Sequence, residues 1–173
     1  WDFRAGARYN YYRALQANSV EPRLFVQRRL GRRLVWQATY EKKSQIMNQI
    51  RESDTDELSL ENYVWLLSDG KQYPIQRASQ LSSGLIYKTK SWLIDADAYY
   101  KQTQGITSLA FGSLYRYDTA IRNGKNFTKG IDLLIQKTAA DWRAWINYTY
   151  QDSQQRFDGF NGDAYFASNA SIW

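Results

Sequence analysis

The feature that most constrains this chain is a period-two alternation of apolar and polar residues that recurs along most of its length. Successive side chains of a β-strand point to opposite sides, so this alternation predicts strands with one apolar and one polar face. The clearest series consists of Trp92, Ile94, Ala96, Ala98 and Tyr100. The pattern predicts seven strands, at about residues 1–13, 20–30, 33–43, 78–89, 91–102, 127–138 and 141–152. It leaves room for an eighth strand within residues 109–121.

The predicted connections alternate in length. Short ones lie near residues 30–33, 89–91 and 138–141, and long ones cover about residues 44–77, 102–125 and 152–171. This alternation is typical of an outer-membrane barrel, in which short turns and long loops lie at opposite rims. Within the first long connection, Leu60, Val64 and Leu67 have helical spacing, which predicts a short surface helix.

The composition of the chain removes several classes of function. It contains no Cys and no His, so it offers neither a disulfide framework nor the most common general base and metal ligand. Its 23 basic and 17 acidic residues are dispersed, whereas a nucleic-acid binder usually concentrates its positive charge. No run of about 18 apolar residues encodes a membrane-spanning helix. We therefore expect no enzyme, no cofactor, no metal site and no nucleic-acid partner.

The spacing of aromatic residues indicates what the apolar strand faces contact. Trp92 and Tyr100 share a strand face eight residues apart, and Trp142 and Tyr150 repeat this spacing. Eight residues at about 3.3 Å each span about 26 Å, or about 20 Å along the membrane normal for a strand tilted by about 40°. This is near the height of the apolar band of a barrel, whose two edges carry aromatic belts. The predicted belt residues are Trp36, Tyr40, Trp92, Tyr100, Trp142 and Tyr150.

The opposite strand faces carry charges that a lipid-facing surface would exclude. The predicted polar wall of a water-filled lumen consists of Arg4, Arg8, Asp95, Asp97, Asp132 and Arg143. Asp95 and Asp97 lie two residues apart on one face, and paired carboxylates could serve acid–base chemistry. The alternative, which we favour, is an ion-pair network between these carboxylates and Arg143, Arg4 or Arg8.

Aromatic residues are also dense in the long connections, where they are interleaved with Asp, Asn and Arg. Exposed rings of this kind stack on sugars or peptides, which makes these residues candidate ligand contacts. The candidates are Tyr63, Trp65, Tyr73, Tyr115, Tyr117, Phe157, Phe160 and Tyr165. The alternative is that these rings pack the loops against one another or continue the outer aromatic belt.

Eight short segments carry a resemblance to a known family. They are EPRL (21–24), WQATY (36–40), YPIQRASQ (73–80), DAYYK (97–101), NGK (123–125), KGIDLLIQK (129–137), WRAWINYTY (142–150) and FDG (157–159). In this order they resemble strands and loops in the barrel of TonB-dependent receptors. The family continues with a strand start rich in Arg and His, whereas this chain has ASNASIW at 167–173. The family's plug domain and TonB-docking segment have no counterpart here.

The resemblance implies a transmembrane barrel of about 22 strands filled by a plug, with substrate captured by the extracellular loops. The expected fold is therefore all-β, an antiparallel up-and-down fragment of about seven or eight strands from a larger barrel. The implied location is the outer membrane of a Gram-negative cell, and the implied function is energised uptake of a sugar, peptide or metal chelate. The implied partners are outer-membrane lipid, the remaining strands and plug, the TonB complex and, as in some receptors of this type, a surface lipoprotein.

Two alternatives from other classes stay open on the sequence alone. A chain of eight strands could close on itself as a small outer-membrane barrel with an adhesin or structural role. A soluble β-domain could use the same alternation, with Trp and Tyr residues as an ordinary core and loop aromatics that bind carbohydrate. The state of the apolar strand faces distinguishes these alternatives, because a soluble fold covers them with protein.

Overall fold

The computed structural model describes residues 1–52, 62–109, 121–159 and 161–168, and these residues form an all-β structure. The described strands are β1 (Asp2–Tyr12), β2 (Ala17–Arg29), β3 (Leu34–Gln45), β4 (Met47–Glu52), β5 (Asn62–Leu67), β6 (Gln76–Lys88), β7 (Trp92–Leu109), β8 (Ile121–Thr138), β9 (Arg143–Phe157) and β10 (Phe166–Ala167). Two 3-10 turns, Arg13–Leu15 and Asn161–Asp163, lie between strands. Within the described ranges, no helix has the length and apolarity needed to cross a membrane.

Eight of these strands form one antiparallel sheet in the order β1-β2-β3-β6-β7-β8-β9-β10. Strands β4 and β5 form a separate two-stranded hairpin between β3 and β6. Apart from this insertion, every strand pairs with its neighbour along the chain, which is the up-and-down topology expected from the sequence. The described part of the sheet is open, because β1 pairs only with β2, and β9 pairs with β8 and, over two residues, with β10.

The strands meet at two rims of the sheet. The short connections at residues 30–33, 89–91 and 139–142 lie at one rim, which we call the tryptophan rim. The connections at residues 13–16, 68–75 and 158–159 lie at the other, together with the end of β7 at Leu109 and the start of β8 at Ile121, and we call it the loop rim. Tight backbone bonds close the short turns, such as Thr89 N–H to Trp92 O at 2.8 Å and Ala139 N–H to Trp142 O at 2.8 Å.

The sheet has almost no core of its own. Among the described residues, Phe157 is the only buried hydrophobic side chain, with 9% of its surface exposed. A soluble domain packs at least two layers of secondary structure around a shared apolar interior. Here a single layer carries its apolar side chains uncovered, so the alternation seen in the sequence has no protein interior to explain it.

The strands extend beyond the predicted boundaries at the loop rim. β7 continues to Leu109 and β8 begins at Ile121, although we expected residues 102–125 to form a loop. Similarly, β9 continues to Phe157. Most side chains of these extensions are polar on both faces, with Ile106, Ile121 and Phe157 among the exceptions, so apolar alternation no longer marks them while the backbone ladder continues. The eighth strand considered within residues 109–121 lies outside the described residues except at its two ends.

The surface helix predicted from Leu60, Val64 and Leu67 is wrong. Val64 and Leu67 belong to strand β5, which pairs with β4 from Met47–Leu67 to Glu52–Asn62, and Leu60 lies outside the described residues. A helix satisfies its backbone within one segment, whereas this segment pairs with a neighbour. Within the long connection at residues 44–77, the described segments 47–52 and 62–67 therefore pair as antiparallel strands.

A β-bulge interrupts the ladder between β7 and β8 at Gln104 and Ile106. Gly105 occupies the bulge with φ of 77°, a conformation that residues with a Cβ rarely adopt. A Cβ on Gly105 would also meet the Ile75 carbonyl oxygen at 2.9 Å. The bulge thus brings the segment before β6 against β7, and it does so at the loop rim.

Candidate membrane-facing surface

One face of the sheet is apolar from β1 to β9, and we call it the apolar face. The strand register places Ala98, Ile131 and Tyr150 side by side on β7, β8 and β9, and directly opposed residues share a face. The centre of this face, which we call the uncharged band, consists of Phe3, Ala5, Ala7, Leu24, Val26, Ala38, Leu81, Ser83, Leu85, Ile94, Ala96, Ala98, Ile131, Leu133, Ile135, Ala144, Ile146 and Tyr148. The band is defined by its uncharged side chains. On the same face, Arg28 lies in the register row of Trp36 and Leu85, and Lys129 and Asp152 lie in the row of Leu81 and Tyr100.

The uncharged band is open to the surroundings. Ile146 exposes 71% of its surface, Phe3 64% and Leu81 55%. Monomeric soluble proteins rarely expose continuous apolar patches larger than a few hundred Å². Burial of each such side chain is worth about 1.5–3 kcal/mol, so a band of this size requires an apolar cover that the described residues do not supply.

Aromatic and cationic side chains border the band at the tryptophan rim. Lys137 lies 4.8 Å from the ring centre of Trp92 and 5.8 Å from that of Trp142. At the other side of the sheet Arg28 lies 4.7 Å from the ring centre of Trp1. Rings with a charged neighbour suit an interface between oil and water, because the ring contacts the apolar side and the cation reaches the polar side. Sequence reasoning selected Trp92 and Trp142 but missed Trp1.

Two predicted belt residues on β3 are placed differently from the others. Trp36 and Tyr40 share the apolar face, but only four residues separate them, half the spacing of Trp92 and Tyr100. Trp36 packs edge-on against Trp1 at 6.3 Å, and its indole nitrogen donates to Ser83 Oγ at 3.0 Å. Trp36 therefore lies beside Trp1 and donates a hydrogen bond to the one serine hydroxyl of the band.

Tyrosine residues border the band towards the loop rim. Tyr100 and Tyr150 are 48% and 57% exposed, as expected for residues at the edge of the sheet's apolar face. Tyr100 packs against Phe127 at 6.2 Å, and Lys129 beside it forms an ion pair with Asp152 at 3.2 Å. Charged side chains, Lys129 and Asp152, therefore lie on the apolar face at the level of Tyr100.

The six predicted lumen residues all lie on the opposite face, which we call the polar face. The predicted ion-pair network among them does not form in the described structure. Arg4 instead pairs with Asp2 at 2.7 Å, and Asp132 accepts a hydrogen bond from Thr149 Oγ1 at 2.7 Å. Asp97 lies directly opposite Asp132 in the register and too far from the arginines for an ion pair. The network was predicted from the sequence alone. Sequence separation does not fix the register between strands, and the register decides which carboxylate lies beside which arginine. The other predicted lumen residues on the polar face are Arg8, Asp95 and Arg143.

The most buried charged group on the polar face is the Glu21 carboxylate, which is 3% exposed. Its Oε1 accepts hydrogen bonds from Asn10 Nδ2 at 2.8 Å, from Ser44 N–H at 2.9 Å and from Ser44 Oγ at 2.7 Å. Ser44 Oγ also lies 3.0 Å from the Tyr12 hydroxyl. Glu21 therefore joins β1, β2 and β3 near the loop rim, a role that the sequence did not indicate beyond the EPRL resemblance.

The candidate ligand contacts differ in how exposed their rings are, and some of them lie outside the described residues. Trp65 on β5 and Tyr165 before β10 are 60% and 43% exposed, and Arg156 lies 5.4 Å from the ring centre of Tyr165. Phe157 packs against Phe166 at 6.2 Å and covers Gly124, which leaves little of its ring accessible. Tyr73 is half-buried, and Tyr63 is described only as part of the β5 backbone. The others, Tyr115, Tyr117 and Phe160, lie outside the described residues.

The chain matches no protein-family model, no curated protein and no solved structure. In the described ranges, no group of three or more Asp or Glu side chains is arranged to hold a metal ion. Function is therefore inferred from the two contrasting faces of the sheet and from the resemblance of its sequence segments.

Proposed function

We propose that this chain forms part of the wall of an outer-membrane β-barrel that serves as a receptor for energised nutrient uptake. The observation that carries the proposal is the uncharged, exposed band on one face, bordered by tryptophan at one edge and tyrosine at the other. Acyl chains of the membrane are the cover that such a band requires, and the interfacial rings lie at headgroup level. The polar face then lines a wet interior.

The open edges of the sheet favour a large barrel over a closed one of eight strands. An eight-stranded barrel would pair β1 with the last long strand, whereas β1 and β9 each retain an unpaired edge over most of their length. In hydrocarbon each unpaired backbone group costs several kcal/mol, so further strands must complete both edges. The small adhesin-like barrel is therefore the weaker alternative.

The receptor role rests on the resemblance to TonB-dependent receptors together with the long connections at one rim. Long loops and exposed aromatic rings such as Trp65 and Tyr165 suit capture of a sugar, peptide or metal chelate. In this proposal a plug fills the lumen against the polar face and engages the TonB complex, and a surface lipoprotein can cover the loops. The chain described here supplies the wall and loops.

Spin labels on neighbouring residues test the wall. The chain has no Cys, so Ile131→Cys on the apolar face and Asp132→Cys on the polar face each introduce one label site. In the full-length protein reconstituted in lipid, we expect oxygen to relax the label at residue 131 and a water-soluble nickel complex to relax the label at residue 132. A water-soluble monomer in which the label at residue 131 is shielded from the nickel complex without lipid present would instead favour the carbohydrate-binding β-domain, because a soluble fold covers this face with protein.

Uptake by intact cells tests the receptor role separately. Cells that lack the gene are compared with complemented cells for accumulation of labelled oligosaccharides, peptides and iron chelates. We expect the deletion to abolish accumulation of one of these classes, and a protonophore to have the same effect, because energised uptake requires the inner-membrane gradient. If accumulation of every class is unchanged while the wall experiment succeeds, the barrel has an adhesin or structural role.

A further inference from the structure

A second surface lies on the apolar face, between Tyr100 and Tyr150 on one side and the loop rim on the other. The register places Lys42 opposite Ser79, and Arg77, Gln104, Lys125 and Arg156 in one row across β6 to β9. Lys129 lies two same-face positions from Lys125, in the row of Tyr100, and five cations therefore share this surface, which we call the basic rim. Its one acidic residue, Asp152, is already paired with Lys129. The basic rim consists of Lys42, Arg77, Lys125, Lys129 and Arg156.

Two cations of the basic rim, Lys42 and Arg77, are open to a ligand. Both are exposed and line a cavity of about 190 Å³ together with the polar side chains of Ser79 and Gln102. Arg156 lies over the Tyr165 ring and its Nε is buried, and Lys129 pairs with Asp152. At the tryptophan rim, Lys137 and Arg28 lie over indole rings. The two edges of the band thus present different chemistry.

We propose that the basic rim binds the phosphate groups of lipid headgroups in the leaflet on the loop side of the membrane. The inference rests on the proposed membrane wall. Arginine and lysine side chains bind phosphate oxygens through charge-assisted hydrogen bonds, and basic residues near an anionic leaflet are attracted to it. Ser79 and Gln102 provide uncharged donors beside them.

The adjoining apolar band identifies the occupant as a lipid rather than a soluble anion. A bound phosphate at Lys42 or Arg77 lies directly above Leu81 and Tyr100 on the same face. The acyl chains attached to that phosphate would extend over the uncharged band. A free phosphate or nucleotide would use the cations and leave the neighbouring apolar surface unused.

Matched variants on the two faces test this proposal. The full-length protein in detergent is titrated with phosphatidic acid, with diacylglycerol of the same acyl chains and with inorganic phosphate, and binding is measured by native mass spectrometry and by the shift in Tm. The test variant is K42Q/R77Q/K125Q. The control R8Q/R23Q/K101Q removes the same charge from the polar face, where these three side chains line a different cavity.

We expect phosphatidic acid to bind the wild type at least tenfold more tightly than diacylglycerol, and the test variant to lose at least tenfold in affinity. The control variant should stay within about twofold of the wild type. Equal losses in both variants, no preference for phosphatidic acid, or equal stabilisation by inorganic phosphate would each overturn the proposal.

The spin label at residue 131, placed in the same triple variants, separates this inference from the proposed function. Oxygen access at residue 131 with unchanged lipid affinity in the test variant overturns the basic rim alone. Water access at residue 131 overturns the membrane wall itself. The single variant K42Q serves if the triple variant does not fold, with an expected loss of about threefold.

Discussion

At the scale of single residues, Glu21 shows how one carboxylate holds three strands. It lies across from Arg8 in the register of β1 and β2, yet its hydrogen bonds reach Ser44 on β3 as well as Asn10 on β1. Hydrogen bonds to a charged acceptor are stronger than neutral ones, and their loss leaves buried donors unsatisfied. Glu21 therefore has a structural role in the wall.

Replacement of Glu21 should weaken the sheet at this point. We expect Glu21→Ala to lower the free energy of unfolding by about 2–3 kcal/mol, because Asn10 and both donors of Ser44 lose their acceptor. Glu21→Gln keeps one acceptor oxygen and should cost less. Urea unfolding in lipid measures both variants, with Glu41→Ala, at an exposed ion pair, as the control. Equal effects at positions 21 and 41 would contradict the assigned role.

Glycine on the polar face makes room for an aromatic ring. Tyr99 lies over Gly130 on the neighbouring strand, and its hydroxyl donates to Gln151 Oε1 at 3.2 Å. A Cβ on Gly130 would meet Tyr99 Oη at 2.5 Å and the Tyr150 carbonyl oxygen at 2.7 Å. The ring and the bare backbone thus fit one another across β7, β8 and β9.

Gly130→Ala should be destabilising, whereas Gly6→Ala should not. We expect the first to cost about 1–3 kcal/mol, since the Tyr99 ring and the β9 backbone must both move. Gly6 is also on the polar face, but a Cβ there meets nothing within 4 Å, and alanine reduces the freedom of the unfolded chain. Thermal unfolding of both variants measures the difference. A neutral Gly130→Ala would show that the ring relocates freely.

At the scale of elements, the connection from the β4–β5 hairpin to β6 is organised by Asp69. Its Oδ1 accepts hydrogen bonds from the N–H groups of Lys71 and Tyr73, each at 2.8 Å. Asp69 N–H in turn donates to the Tyr73 carbonyl oxygen at 3.0 Å. This side chain replaces the regular ladder where the chain reverses direction.

The Asp69 turn should depend on pH. Hydrogen bonds from the Tyr73 and Lys71 amides lower the pKa of Asp69 below its usual value. A lowered pKa means that the contribution is present above the usual aspartate pKa of about 4 and is lost as the pH falls through the lowered value. We expect amide protection at Lys71 and Tyr73 to fall in acid, measured by hydrogen exchange, and Asp69→Ala to remove this dependence. Persistent protection in acid would contradict it.

At the scale of the whole molecule, the difference between the two faces determines which side chains would contact lipid in the proposed wall. The described part of the sheet leaves the uncharged band uncovered, so in a bilayer the acyl chains would contact it. Charge at the middle of the band should therefore be costly in a bilayer, while the same charge on the polar face remains hydrated.

Adjacent leucines on β8 provide a matched test of this asymmetry. Leu133 lies opposite Ala96 and Tyr148 on the apolar face, and Leu134 points to the polar face beside Asp95. We expect Leu133→Lys to lower the free energy of folding into lipid by about 2–4 kcal/mol and Leu134→Lys to have a much smaller effect. Urea titration in large vesicles measures both. Similar losses at the two positions would refute a lipid-facing band.

The amino-acid sequence by itself determined the strands and their two faces, because period-two alternation is a local property of each strand. It located the seven long strands to within a few residues wherever one face was apolar, and it placed Trp92, Tyr100, Trp142 and Tyr150 on a common face. Alternation disappears where both faces are polar, so the extensions of β7, β8 and β9 were missed. The helical spacing of Val64 and Leu67 was a coincidence of one short segment.

Only the tertiary structure decided which residues meet across strands. Register depends on hydrogen bonding between segments that are distant along the chain, so sequence separation could not foresee that Glu21 binds Ser44 or that Asp97 faces Asp132. For the same reason, Lys42, Arg77 and the other cations of the basic rim lie scattered in the sequence. The structure also showed that the described residues leave the apolar face without a protein cover, a property of the assembled sheet that no single strand can reveal.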